Sequence, residues 1–142
     1  MTATAAAIMP SATLYVDSSA IVKLVQAERE SAALRRYLRR HRSLVRATSA
    51  LARVEVVRAV APGGTRAKAL ARRQLARFHQ LDLDRELLDR AADLPAAAPL
   101  RSLDAIHLAA AQTLPALRAI VTYDTRLQAA AQALGLPIEA PA

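Results

Sequence analysis

The sequence predicts an α/β domain built on a mainly parallel sheet, and three observations carry that expectation. Its 142 residues suit one compact domain. Its composition, 54% hydrophobic and 23% charged, supplies enough apolar surface for a core and excludes a disordered chain. Short runs rich in β-branched residues alternate with longer segments of helical periodicity, the order that gives parallel βαβ units and a sheet covered on both faces.

The elements follow in order. Residues 1–12 read as a loose lead, with Met9 as an alternative start. They lack the basic n-region of a signal peptide, and no run reaches the roughly 20 apolar residues of a membrane span, so a cytoplasmic protein without a membrane is expected. Thr13-Leu14-Tyr15-Val16 is a strand ending at Asp17. Ser18 and Ser19 can cap the helix that follows through Ile21, Val22, Leu24 and Val25. A helix over about 30–41 places Leu34, Tyr37, Leu38 and His41 on one face, with Arg36, Arg39 and Arg40 opposite. Residues 44–47 read as a strand, and Thr48 or Ser49 as the cap of a helix through Leu51, Val54, Val57 and Val60. Pro62-Gly63-Gly64 breaks that helix, and the next, over about 65–80, buries Ala71, Leu75 and Phe78. A short strand over 81–83 and a helix near 85–94 precede a loop over 95–99. Ser102 caps a nearly all-apolar helix over 103–114, expected to be the buried central one. Residues 119–123 form a strand, 125–134 a helix closed by Gly135, and Pro137-Ile138 begins an edge strand.

Charge narrows the partners. Twenty Lys+Arg against 12 Asp+Glu give a formal net charge of +8, and 18 of the basic residues are Arg, whose forked donors suit phosphate and carboxylate. Aromatic residues make up only 3%, which argues against modules that read nucleic acid by base stacking. The absence of Cys removes disulfides, thiolate metal sites and a cysteine nucleophile together.

In parallel α/β folds ligands gather beyond the carboxyl ends of the strands. Asp17 and Asp124 each close a predicted strand, while Glu55 and Asp104 lie in the first turns of unusually apolar helices. Each has a plain structural role open to it. Asp17 and Asp124 would serve as N-caps, and Asp104 as a first-turn acid favoured by the helix dipole. Glu55 would pair with Arg53 or Arg58, although apolar Leu51, Val54, Val57 and Ala59 around it make a solvated face a poorer account. Four converging carboxylates cannot all stay ionised without a cation, and such hard oxygen donors suit Mg²⁺ or Mn²⁺.

Tyr15-Val16-Asp17-Ser18-Ser19-Ala20, then Glu55 in a helix, then Leu103-Asp104-Ala105-Ile106-His107-Leu108-Ala109 and Val121-Thr122-Tyr123-Asp124, closely resembles the PIN-domain ribonucleases, in particular the VapC toxins of bacterial toxin–antitoxin systems. The resemblance covers nearly the whole chain. It implies a three-layer α/β/α PIN-like domain spanning residues 1–142 and Mg²⁺- or Mn²⁺-dependent endonucleolytic cleavage of RNA. Asp17, Glu55, Asp104 and Asp124 match the family's acidic, metal-binding quartet. Thr122 matches the hydroxyl residue two positions before the last acid. The resemblance also implies a homodimer silenced by a cognate VapB-type antitoxin.

Three further features bear on this reading. His107, one turn beyond Asp104, is read as a satisfied core histidine rather than a ligand, an Asp-x-x-His metal pair being the other option. The Arg faces of two helices are solvated faces or grips for RNA phosphates. Lys23 would lie near the acids. Two other functions compete: a non-catalytic basic module that binds nucleic acid, and a phosphotransfer α/β domain. The second lacks an acid two residues after Asp17, where Ser19 stands, and lacks a strand-end lysine.

Overall fold

The computed structural model describes residues 12–95 and 100–142. Most of the expected lead and the Pro95–Pro99 loop lie outside the described residues. Five strands, β1 (Thr13–Val16), β2 (Val45–Ser49), β3 (His79–Leu81), β4 (Leu117–Val121) and β5 (Ile138–Glu139), pair in the order β3-β2-β1-β4-β5, every pair parallel. Among the described residues seven α-helices connect them: α1 (Ser18–Val25), α2 (Ser31–Arg40), α3 (Ala52–Val60), α4 (Gly64–Leu75), α5 (Arg85–Ala92), α6 (Ser102–Gln112) and α7 (Thr125–Ala133). None is long and apolar enough to cross a membrane, among the described residues.

The pleat of β1 explains the layering. Leu14 and Val16 point into a core shared with α1 to α4, while Tyr15 points into a second core with α5 to α7. Because β1 is buried on both sides, its four residues are all apolar or small, without alternation. The chain therefore winds one way from β1 to β3 and the other way through β4 and β5. It reverses at the β1–β4 boundary, where such sheets open a crevice.

Several boundaries differ from the sequence reading, each for a tertiary reason. Thr48 and Ser49 do not cap a helix: they continue β2, paired with Gln80 and Leu81 of β3, and both are buried. Helix α3 accordingly starts without a side-chain cap and buries Ala52, Val56 and Val60, leaving Val54 56% exposed. Pairing of Ala47 with His79 pulls β3 two residues upstream of its expected place and ends α4 at Leu75 rather than Gln80. Ser102 is the first helical residue of α6, with Arg101 at the cap position and no side-chain cap bond. At the end of α7, Gly135 adopts φ +71° and the Leu136 amide donates to Ala131 O at 2.9 Å, closing the helix as expected.

Helix α6 is the buried central one: Asp104, Ala105, His107 and Leu108 through Ala111 are all buried. Truncating its fully buried Leu108 to Ala is expected to cost about 2–5 kcal/mol in urea unfolding. The same change at Leu103, 49% exposed on that helix, should stay within about 0.5 kcal/mol.

Candidate active site

Asp17 is the first residue after β1, and its extended backbone (φ −80°, ψ 175°) turns the chain into α1. Its Oδ1 accepts from the Ala20 amide at 3.1 Å and from Ser19 Oγ at 2.7 Å, and its Oδ2 accepts from Thr122 Oγ1 at 2.6 Å. The carboxyl is thus an N-cap and also a buried group, only 3% exposed. Burial pushes it above the ordinary carboxylate range, and the bonds it accepts from Thr122, Ser19 and the Ala20 amide offset only part of that.

Asp124 leaves the neighbouring strand β4. Its Oδ1 caps α7 through the amides of Arg126 and Leu127 at 2.9 and 3.3 Å. Thr122 ties the two strand ends together, because its hydroxyl donates to Asp17 and accepts from the Asp124 amide at 3.1 Å. Thr122 is fully buried and acts through Asp17 rather than by lining the cavity. Ser19 makes a second tie, accepting from the Tyr123 amide at 2.9 Å.

Glu55 reaches the same place from α3. Ser18 Oγ and His107 Nε2 both meet its Oε1, each at 2.7 Å, and among the described residues Oε2 has no hydrogen-bond partner. Desolvation raises its carboxyl, but the bonds from His107 and Ser18, with the nearby charge of Arg101, outweigh that and hold it below its usual range. Behind it, His107 Nδ1 lies 2.6 Å from Tyr15 Oη, the rings meeting edge to face at 5.8 Å. The consistent proton order has the Tyr15 hydroxyl donating to Nδ1 and Nε2–H donating to Glu55. Burial pushes the Tyr15 phenol well up, so it remains a donor.

Asp104 projects from the first turn of α6 and is 5% exposed. Its Oδ2 faces Arg101 Nε at 3.4 Å, while Arg101 Nη2 lies 3.8 Å from Asp124 Oδ2. Arg101 therefore stands between two acids with its own side chain 59% exposed.

Asp17, Glu55, Asp104 and Asp124 line one cavity of about 290 Å³ with Ser18, Ser19, Arg101 and His107. Among the described residues no three carboxylate or imidazole groups already form an ion cage. The donors nonetheless fit a hard divalent cation: they are oxygens, Asp17 is charged only at a penalty, and Glu55 retains an unpartnered oxygen. Lys23, expected near the acids, does not line the cavity. It bridges Glu28 and Glu30 at 3.0 and 2.7 Å and sits 4.8 Å above the Tyr123 ring. The residues sequence reasoning missed are Ser18 and Ser19, read only as caps, and Arg101. His107 is a satisfied buried histidine, as read, but one that orients Glu55. One signal was available: His107 follows Asp104 by one helical turn and so shares its face.

Comparison with known proteins adds the rest. A family model described as PIN domain matches residues 14–133. Ribonuclease VapC46 of Mycobacterium tuberculosis is 51% identical over 132 residues, 92% of this chain and 98% of that protein. Ribonuclease VapC35 of the same species is 46% identical, over 90% and 96% of the two chains. Among solved structures, M. tuberculosis VapC20, a Sarcin-Ricin loop cleaving toxin, superposes with a TM-score of 0.70 at 18% identity, over 83% of this chain and 95% of that one. A toxin–antitoxin complex from Klebsiella pneumoniae gives 0.67 at 21% identity, over 92% and 98%.

Proposed function

We propose that this chain, which belongs to the PIN-domain family as a VapC-type ribonuclease toxin, cleaves RNA by metal-assisted hydrolysis at the cavity lined by Asp17, Glu55, Asp104 and Asp124. One observation carries the reading: four carboxylates from four distant segments share about 290 Å³ at the sheet's switch point, two of them almost fully buried. Burying such charge is costly unless a cation or the reaction gives it a use. A basic module that only binds nucleic acid has no need of that arrangement.

Asp17, Glu55, Asp104 and Asp124 would hold Mg²⁺ or Mn²⁺, which when bound acidifies water and stabilises developing charge on phosphate oxygens. The chain's own residues do the rest. Thr122 and Ser19 fix both oxygens of Asp17, so its orientation does not depend on the ligand. Ser18 and His107 occupy one oxygen of Glu55 and leave the other to accept a proton or hold the ion. Arg101, held by two long contacts and largely exposed, turns from the acids to the scissile phosphate. We infer a cognate antitoxin for the chain, the acidic cavity being the surface such a partner must block.

Mapping new 5′-monophosphate ends in total cellular RNA after brief induction tests the reading. Discrete ends are expected with the wild type and not with Asp104→Asn. Identical maps from two soluble proteins would favour the binding module.

Two positioning roles are open to measurement. His107→Gln removes the link from Tyr15 to Glu55 and is expected to lower kcat about 10- to 100-fold with little change in KM. Arg101→Gln is expected to tighten Mn²⁺ binding in calorimetry, because a competing cation is gone, while lowering kcat/KM about tenfold. Opposite signs in one variant are not what general damage produces.

A further inference from the structure

The acids occupy the carboxyl ends of the strands, yet a concentrated positive surface lies at the other end of the sheet. Helix α2 finishes one short loop before β2 begins, so its last turns sit beside the amino ends of the strands. There, among the described residues, Arg36, Arg39, Arg40 and Arg42 line an open depression of about 460 Å³. Arg46, the second residue of β2, donates to Leu38 O of the same helix at 3.1 Å. Burial and then the neighbouring charge of Arg77, just before β3, disfavour the Arg46 cation. Arg118 adds another charge from β4. The β1–β4 register passes from Thr13↔Leu117 to Leu14↔Ala119, so Arg118 is the unpaired residue of a bulge, and its side chain is exposed.

None of these arginines forms a salt bridge among the described residues; the ion pairs there involve Lys23, Arg90, Arg101 and His107 instead. Glu139 acts on Tyr37 alongside Arg118 and Arg40, and among the described residues it forms no ion pair with either arginine. Guanidinium groups gathered without ion-pair partners or apolar lining among the described residues suit a phosphate backbone better than a peptide, which needs apolar anchors to stay bound.

Resting on the ribonuclease reading, we propose that the arginines at the amino end of the sheet grip the body of a folded RNA while another part of the same molecule enters the acidic cavity. The central strands are four to five residues long, roughly 15 Å, and the acids lie beyond one end of them and the arginines beyond the other, so more than about 15 Å separates the two surfaces. A stacked pentanucleotide covers roughly 15 Å and reaches only one of them. A folded RNA reaches both.

The test compares the wild type with a variant carrying Arg36→Gln, Arg39→Gln, Arg40→Gln and Arg42→Gln, and with the four Arg→Lys changes at the same positions. Binding of bulk bacterial tRNA and of a mixed-sequence pentaribonucleotide is measured in EDTA across a salt series. For the Gln variant, tRNA affinity is expected to fall at least about tenfold, with the slope of log K against log salt shallower by about 3. Its pentanucleotide affinity should stay within twofold of the wild type, and the Lys variant should retain most of the tRNA binding. Unchanged tRNA affinity would overturn the proposal, as would equal loss for both RNAs. Loss of duplex DNA binding with tRNA binding intact would assign the surface to DNA instead. Cleavage ends mapped alongside separate the two readings: no ends from the wild type would sink the ribonuclease, whereas ends with no binding contrast would sink only the distal grip.

Discussion

Asp104→Asn and Asp17→Asn are each expected to lower RNA cleavage by about 10³-fold while leaving the fold in place. Asn matches Asp in size, and Asp104 gives up only a 3.4 Å contact with Arg101. What disappears is the negative charge that holds the ion and balances it among the other carboxylates. Single-turnover cleavage of a mapped substrate, at saturating Mg²⁺ and with circular dichroism of each protein, checks the expectation. Cleavage by both variants at wild-type rates would remove the acids from the mechanism.

Divalent metal should also change stability, and Asp17 says in which direction. Its carboxyl is raised by burial, so above its folded-state titration the metal-free protein bears the cost of an ionised buried acid. That cost is relieved as pH falls toward the unfolded value near 3.9, so the metal-free wild type gains stability on acidification through this group. Glu55 has the opposite sign, but its loss falls below its unfolded value near 4.3. Between about pH 5 and 8 the difference in Tm between the wild type and Asp17→Asn therefore isolates the Asp17 contribution. Mg²⁺ or Mn²⁺ at about 100 times Kd should stabilise the wild type by about 2.7 kcal/mol, roughly 8–10 °C in Tm. It should flatten the pH difference and do little for Asp17→Asn. A Tm indifferent to metal at every pH would count against a resident ion.

The layered α/β architecture was legible because it depends on patterns that survive in the linear chain. The unbroken apolar run Leu14-Tyr15-Val16 announces a strand buried on both faces, and the nearly all-apolar stretch from Leu103 announces a central helix. The acids after strands could likewise be picked out, since strand ends in parallel sheets point to one edge. What stayed hidden depends on which segments meet. Glu55 was singled out for its helical neighbours, yet Val54 is exposed, and Glu55 is half-buried because Ser18 and His107 reach it from other elements. Thr48 and Ser49 looked like caps because their chemistry suits a cap; pairing with β3 overrides that preference. Arg101 bears no local signature, because its role exists only once Asp104 and Asp124 flank it.

The strand order has a consequence for synthesis. The bond from Thr122 to Asp17 spans 105 positions, and β1 finds its partner β4 only across β2, β3 and the helices α1 to α6. A ribosome making this chain thus carries an incomplete cavity until Asp124 has emerged, and polypeptides interrupted before Asp124 lack one wall of it. The late closure of the sheet acts as a timer on completion of the cavity.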